Sequence, residues 1–235
     1  MRGVFVTGTD TEVGKTVVAS AFAATLAASG ERVAAFKPAV TGLSEPGGLP
    51  DHELLRRAAR SPQSAEAVAP YRFGPAVSPH LAARLEGDEI APGHLIAAAE
   101  AAAAHADVIV VEGVGGLLVP LSSGYLVRDF AAELALPLLI AARPGLGTIN
   151  HTLMTIECAR AAGLEVAAVV LTPWPRFPQE LERSNRQAIE SLGDVETFGL
   201  PLLDLLLDLP LDLAGGVAAV PDLPVGRWVS EPAYV

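Results

Sequence analysis

The residues with the clearest chemistry lie near the start of the chain. Gly8-Thr9-Asp10-Thr11-Glu12-Val13-Gly14-Lys15-Thr16 has the spacing G-x-x-x-x-G-K-[ST], in which a glycine-rich turn aims successive backbone N–H groups at one anion. Gly8 and Gly14 open backbone conformations that other residues avoid. A helix beginning near Lys15 adds the positive end of its dipole. The Lys15 ammonium then reaches the outer phosphates of a nucleoside triphosphate, and the Thr16 hydroxyl ligates a magnesium ion held by them. The bland alternative is a chance match in a glycine-rich turn. The motif nevertheless follows an apolar strand and precedes a helical pattern that begins at Val17-Val18-Ala19, which is the context it needs. The chain reads as a nucleoside triphosphate binder.

Further candidates lie at the ends of apolar runs. Val108-Ile109-Val110-Val111-Glu112 is followed by Gly113-Val114-Gly115-Gly116. An acid at the carboxyl end of a strand opens onto the crevice where ligands bind in α/β sheets, so Glu112 is either a metal-supporting carboxylate or a solvated strand end. Lys37 ends the run 33–37 on the same side, as a working cation or as an ordinary solvated lysine. Asp51 opens a helix, where an acid also serves simply as a cap. His80 and His151 stand alone, as ligands or as hydrogen-bonded structural residues. No Cys/His cluster makes a case for zinc. Thr172-Pro173-Trp174-Pro175 reads as a rigid loop in which Trp174 either stacks on a base or packs.

These residues need a scaffold, and the pattern predicts one. Strands are expected at 4–7, 32–37, 108–112, 137–141 and 166–171, several apolar on both faces, as in a parallel sheet covered by helices. Helices are expected near 15–29, 51–60, 91–105, 126–134, 148–162 and 178–192. The alternation predicts a single doubly wound α/β domain over 1–235, its sheet mostly parallel with helices on both faces. The stretch 61–80, with four prolines, reads as an ordered surface loop. The segment 202–209 fits a helix or a strand equally well, and no repeat or linker divides the chain.

Composition narrows the function classes. Of 235 residues 51% are hydrophobic and 18% charged, which excludes a disordered or fibrous chain. The net charge of −11 argues against sequence-independent nucleic-acid binding, which needs clustered cations. Apolar runs stay far below the ~20 residues that cross a bilayer, and no targeting segment is visible at the start. Cys158 has no partner cysteine, which fits a reducing cytoplasm.

Together these residues resemble dethiobiotin synthetases, a family with a P-loop NTPase-like fold. The likeness is carried by 7–16, by Phe36-Lys37-Pro38 with Thr41-Gly42, by Ser78-Pro79-His80, by Val111-Glu112-Gly113-Val114-Gly115-Gly116, by Pro120-Leu121 and by Leu146-Gly147-Thr148-Ile149-Asn150-His151. The resemblance implies that a vicinal diamine, 7,8-diaminopelargonate, takes up carbon dioxide as a carbamate, that ATP phosphorylates the carbamate, and that the second amine closes a cyclic urea.

The resemblance also assigns roles. Lys37 and Lys15 are the catalytic cations, and Thr16, Asp51 and Glu112 hold magnesium, with Glu53 a near neighbour of Asp51. The nucleotide lies on Glu12, Val13, Gly14, Lys15, Thr16, Val17, Asp51, Glu112, Gly113, Val114 and Gly115. Its base falls near Thr172, Pro173, Pro201, Leu202 and Leu203. The diamine lies near Thr11, Lys37 and Thr41. Family members are homodimers, and Gly147 and Asn150, at a helix start where free N–H groups suit a carboxylate, serve the partner's site.

One departure stands out. Where many relatives read adenine with Asn-Asp after the fifth strand, this chain has Thr172-Pro173-Trp174. Proline lacks an N–H, and threonine lacks an amide's paired donor and acceptor. Backbone groups near 201–203 remain for the base.

Two rivals share the loop. An amidotransferase-like synthetase would need a Cys nucleophile on a turn, whereas Cys158 lies in a helical pattern. Switch ATPases of the partitioning or positioning type carry a lysine five residues before the invariant one, where this chain has Asp10.

Overall fold

The computed structural model describes residues 1–203 and 225–229. Six parallel strands form the central sheet: β1 (Gly3–Gly8), β2 (Val33–Phe36), β5 (Val108–Glu112), β8 (Leu138–Ala142), β9 (Val166–Trp174) and β10 (Thr197–Pro201). Their order is β10-β9-β8-β1-β5-β2. Two small pairs lie outside it, β3 (Ala39–Val40) with β4 (Tyr71–Arg72), and β6 (Pro120–Ser122) with β7 (Tyr125–Leu126). The helices are α1 (Lys15–Ala28), α2 (Asp51–Ala58), α3 (Ala65–Val68), α4 (Pro79–Leu85), α5 (Pro92–Ala103), α6 (Val127–Leu134), α7 (Thr148–Ala161) and α8 (Glu180–Gly193), with a helical turn at Val225–Trp228. Among the described residues no helix is long and apolar enough to cross a membrane.

The continuous apolar strands follow from burial on both faces. In β1, Val4 and Val6 enter the core shared with Val18, Phe22 and Leu26 of α1. Phe5 points the other way, into the core with Phe130 and Leu95, because successive side chains alternate. The Phe130 ring meets Phe5 at 5.9 Å and Phe36 at 6.1 Å. A third cluster under α7 and α8 joins Ile140, Val169, Ile156 and Ile189. Helix α1 is buried over most of its surface; its alanines both favour the helix and let it lie close to the strands.

Three expectations change. Strand β10 was not foreseen, because Thr197–Pro201 carries a glycine and a proline and pairs only along the edge of β9. The stretch 172–174 is no loop: β9 runs through Trp174, which pairs with Pro201 after an irregularity that shifts the register. The stretch 61–80 is not simply a surface loop, since Val68, Ala69 and Phe73 are buried and α3 and β4 lie within it. It shields the free edge of β2. The Gln63 side-chain amide accepts from the Ala35 N–H at 2.8 Å and donates to the Ala35 carbonyl at 3.1 Å, and the Lys37 N–H donates to the Val68 carbonyl at 2.8 Å. These bonds stand in for a seventh strand on an edge that would otherwise be open. Of the segment 202–209, positions 204–209 lie outside the described residues.

The topology sets the site. The chain leaves β1 toward the β2 edge, then returns to β5 and crosses to β8 on the other side of β1. Connections therefore diverge at the carboxyl ends of β1 and β5, the place where ligands lodge in such sheets.

Candidate active site

The loop at 8–16 joins β1 to α1 at that divergence. Gly14 precedes α1 with φ at 88°, and a side chain there would bring its Cβ within 2.5 Å of Thr172 Cγ2. Glu12 also holds a positive φ of 54°, a conformation that costs a non-glycine residue of order 1–3 kcal/mol and collects at functional loops. The Lys15 ammonium folds back onto the Asp10 carbonyl at 2.7 Å. Burial lowers its pKa, against the pull of Glu112.

Next to the loop, four residues from separate elements meet. Lys37, just past β2, is 4% exposed. Its Nζ lies 2.6 Å from Glu112 Oε1 and 2.7 Å from Asp51 Oδ2. The Thr16 hydroxyl donates to the same Glu112 oxygen at 2.7 Å. Glu112 is fully buried at the end of β5, so its reading as a solvated strand end is overturned. Lys37 likewise is no ordinary surface lysine. Burial pulls Lys37 down, but the Glu112 and Asp51 charges outweigh it and its pKa is raised. Burial pushes Asp51 up, yet the Lys37 charge and hydrogen bond bring it below the usual carboxylate range. Burial keeps Glu112 raised against the Lys37 pull.

Asp51 does not cap its helix: Pro50 occupies the cap position and Asp51 is the first helical residue, its side chain turned to Lys37. Its neighbour Glu53 pairs instead with Arg56 at 2.9 Å. Asp51, and not Glu53, therefore joins Glu112 in this cluster.

The group fits a magnesium ion. Glu112 Oε2 is buried without a hydrogen-bond partner, and the two carboxylates already converge on a cation, the Lys37 ammonium. Among the described residues no group of three His, Cys, Asp or Glu is assembled for a metal. Two carboxylates and a hydroxyl suit an ion that takes the remainder of its oxygen shell from phosphates and water.

The other expected residues spread around this centre. Gly113, Val114 and Gly115 follow β5, the Gly113 N–H donating to the Val6 carbonyl at 2.9 Å; a Cβ at Gly116 would stand 3.2 Å from the Gly8 carbonyl. The two glycine loops thus lie against each other. Val13 is buried in the core, while Val17 is partly buried against it. Thr11 is exposed beside Asp10, whose Oδ1 accepts from the Thr11 N–H at 2.7 Å. Thr41 follows β3 and lines a cavity of about 190 Å³ together with Asp51, Leu43 and Glu45.

On the far side, Thr172 is buried against Gly14 and Pro173 is exposed. Trp174 packs on Gly199, where a Cβ would fall 2.4 Å from its ring, so Trp174 is a packing residue. Pro201 ends β10 beside it, Leu202 is 81% exposed and Leu203 partly buried against the core. The two stretches expected near the base therefore come together at the ends of β9 and β10.

Gly147, with φ at 91°, precedes α7. Asn150 is exposed, its amide directed to Met154 Sδ at 3.9 Å within the same helix. His80 and His151 are exposed, and Cys158 lies partly buried within α7.

Two residues of this end of the sheet were not foreseen. Arg143, one residue past β8, reaches Asp10 with Nη2 at 3.4 Å from Oδ2. Asn185 on α8 is buried and donates to the Pro144 and Gly145 carbonyls at 2.9 and 3.1 Å. Neither belongs to a motif; the only hint was a cation directly after an apolar strand.

Comparison with known proteins agrees with this geometry. A family model described as an AAA domain matches residues 2–207. An ATP-dependent dethiobiotin synthetase of Anaeromyxobacter dehalogenans is 49% identical over 171 residues, covering 73% of this chain and 76% of that protein. One from Bacillus subtilis is 38% identical over 200 residues, covering 85% and 87%. Among solved structures, a ParA family ATPase from Chlorobium tepidum superposes with a TM-score of 0.55 at 14% identity, covering 97% of this chain and 96% of that one. The cell division ATPase MinD of Pyrococcus furiosus gives 0.54 at 16% identity, covering 97% and 95%. At such identities these two likenesses show the fold alone. The sequence relatives go further, and by them the chain belongs to the ATP-dependent dethiobiotin synthetase family.

Proposed function

We propose that the protein closes 7,8-diaminopelargonate and carbon dioxide to dethiobiotin at the expense of ATP, in biotin biosynthesis. One observation carries this reading: the buried Lys37 ammonium shared by Asp51 and Glu112, next to Thr16 and Lys15 of the phosphate loop. A carbamate is a weak anionic nucleophile, and its approach to a terminal phosphate is opposed by charge. Fixed cations in a dry site offset that repulsion, which is the main task in phosphoryl transfer.

Lys15 spans the outer phosphates, and the loop N–H groups from Glu12 to Val17 cradle the remainder. Thr16, Asp51 and Glu112 would hold magnesium, which when bound supplies further neutralisation of the phosphates. Lys37 leaves one carboxylate to stabilise the charge that develops as the carbamate oxygen takes the phosphoryl group. In this reading Thr11 and Thr41, the latter lining the cavity beside Asp51, serve the diamine. The base lies toward Thr172, Pro173, Pro201, Leu202 and Leu203, since the terminal phosphate points the opposite way, to Lys37.

The working unit in this reading is a cytoplasmic homodimer, with Gly147 and Asn150 completing the partner's diamine site. Leu146, just before α7, is 92% exposed and Met154, midway along it, 54% exposed, and a second copy would cover them.

The test is phosphate release from ATP with and without the diamine and bicarbonate. Release that needs both supports the synthetase; release driven by DNA or lipid instead would establish a switch ATPase. Mixing inactive Lys37→Gln with inactive Asn150→Ala subunits tests the shared site. Partial recovery of activity is expected, and none in verified mixed dimers would refute completion by the partner.

A further inference from the structure

We propose that Arg143 is a third cation of the phosphate site, one that leaves Asp10 to bind an oxyanion of the reacting ligands. The proposal rests on reading the loop at 8–16 as the triphosphate cradle. Strand β8 pairs with β1 so that Ala141 stands beside Gly8, and the Thr9 N–H donates to the Ala141 carbonyl at 3.1 Å. Two residues further along each chain, Arg143 and Asp10 therefore face each other by register.

The position of Arg143 is built and not incidental. The residues after it are tied down by the buried Asn185 amide, which holds the Pro144 and Gly145 carbonyls. With Lys37 beyond β2 and Arg143 beyond β8, the loop after β1 is flanked by cations on both sides.

Asp10 is the shared anchor. Its carbonyl holds the Lys15 ammonium at 2.7 Å, and its carboxylate faces the Arg143 guanidinium at 3.4 Å. Both side chains of the latter pair are more than half exposed, at 58% and 51%. A pair this wet is weak enough to exchange for a better anion. A guanidinium offers paired donors that match a phosphate or carboxylate edge-on. Lys37, by contrast, is already divided between two carboxylates, so a site that must receive both a triphosphate and a carbamate gains from a cation not so committed. Asp10 occupies the loop position where switch ATPases carry their extra lysine; here a positive charge reaches the same place from a neighbouring strand.

The experiment compares Arg143→Ala, Arg143→Lys and Asp10→Asn with the parent, measuring kcat and KM for ATP and diamine and binding of ATP and ADP. We expect Arg143→Ala to lower kcat/KM by about tenfold or more, Arg143→Lys to recover most of that, and Asp10→Asn, which releases the guanidinium, not to reproduce the loss. Weakened ATP binding with ADP binding unchanged assigns Arg143 to the terminal phosphate. A raised diamine KM with unchanged ATP binding assigns it to the carbamate. The proposal is overturned if Arg143→Ala stays within about twofold of the parent for both substrates. It is equally overturned if Asp10→Asn matches its loss and the double variant is no worse, since the pair is then only a strut. Lys15→Ala separates the premises: an active Lys15→Ala removes the reading of the loop itself, whereas an inactive one beside an unaffected Arg143→Ala removes only the role of Arg143.

Discussion

The two sides of the phosphate loop are built on opposite principles. Toward β5 and β2 the strand ends carry charge taken out of water: Glu112 is fully buried and Lys37 nearly so, each holding the other in place. Toward β9 and β10 the strand ends carry Thr172, Pro173, Trp174, Pro201 and Leu202, which are apolar or lack a side-chain amide, and Trp174 is given over to packing on Gly199. In the proposed function the difference follows from what each side would do. Charge that develops during reaction is stabilised only by groups fixed beforehand in a low-dielectric site. A base that merely anchors the nucleotide contributes equally before and during reaction, so loose apolar contact is sufficient.

The largest expected effect lies on the charged side. Lys37→Gln should lower kcat by about 10²–10³-fold, the scale of one preorganised charge donor, with nucleotide affinity within a few-fold of the parent. Single-turnover kinetics set against calorimetric titration would check this; an equal loss in affinity would erase the proposed division of labour. Next, Gly14→Ala should weaken nucleotide binding by about 10²-fold, because it combines an unfavourable positive φ with contact against Thr172. Thr172→Ser, which removes the offending methyl, should recover part of that loss in the double variant. This pair tests whether the two sides touch where the structure joins them.

A smaller change is expected on the apolar side. Trp174→Ala should raise KM for ATP by less than about tenfold and leave kcat almost unaltered, the signature of uniform binding. A large fall in kcat would break the comparison. The smallest effect concerns acid stability. Asp51 has a folded pKa below its ordinary 3.8, so the stability it contributes is present above that value and is lost as pH falls through the lower, folded one. In Asp51→Asn that loss below pH 3.8 should disappear from urea midpoints measured against pH. Lys37 works in the other direction: its raised pKa contributes stability below 10.5 that is lost as pH climbs through the folded value.

How much of this was legible before any coordinates depends on whether the signal is local. The phosphate loop is a contiguous motif with its strand and helix attached, and its geometry follows from the sequence of glycines. Strands β1, β2, β5 and β8 were readable because burial on both faces leaves an unbroken apolar run. Strand β10 was not, since Thr197-Phe198-Gly199-Leu200-Pro201 contains both a glycine and a proline and forms only because β9 offers it an edge. The stretch 61–80 hid its role for a similar reason: Gln63 shields β2 through a side chain, and no period records that.

The amino-acid sequence by itself determined that the chain binds a triphosphate on an α/β sheet, and through likeness of motifs, to which family it belongs. It named Lys37, Asp51 and Glu112 as separate candidates, each with an ordinary alternative. Only the tertiary structure brought them together, by placing residues 14 and 75 positions from Lys37 on a single ammonium and by setting Arg143 against Asp10 across 133. The reason is physical. A motif fixes backbone conformation over a few neighbours, whereas burial, pairing and charge arise when the sheet brings distant strand ends together.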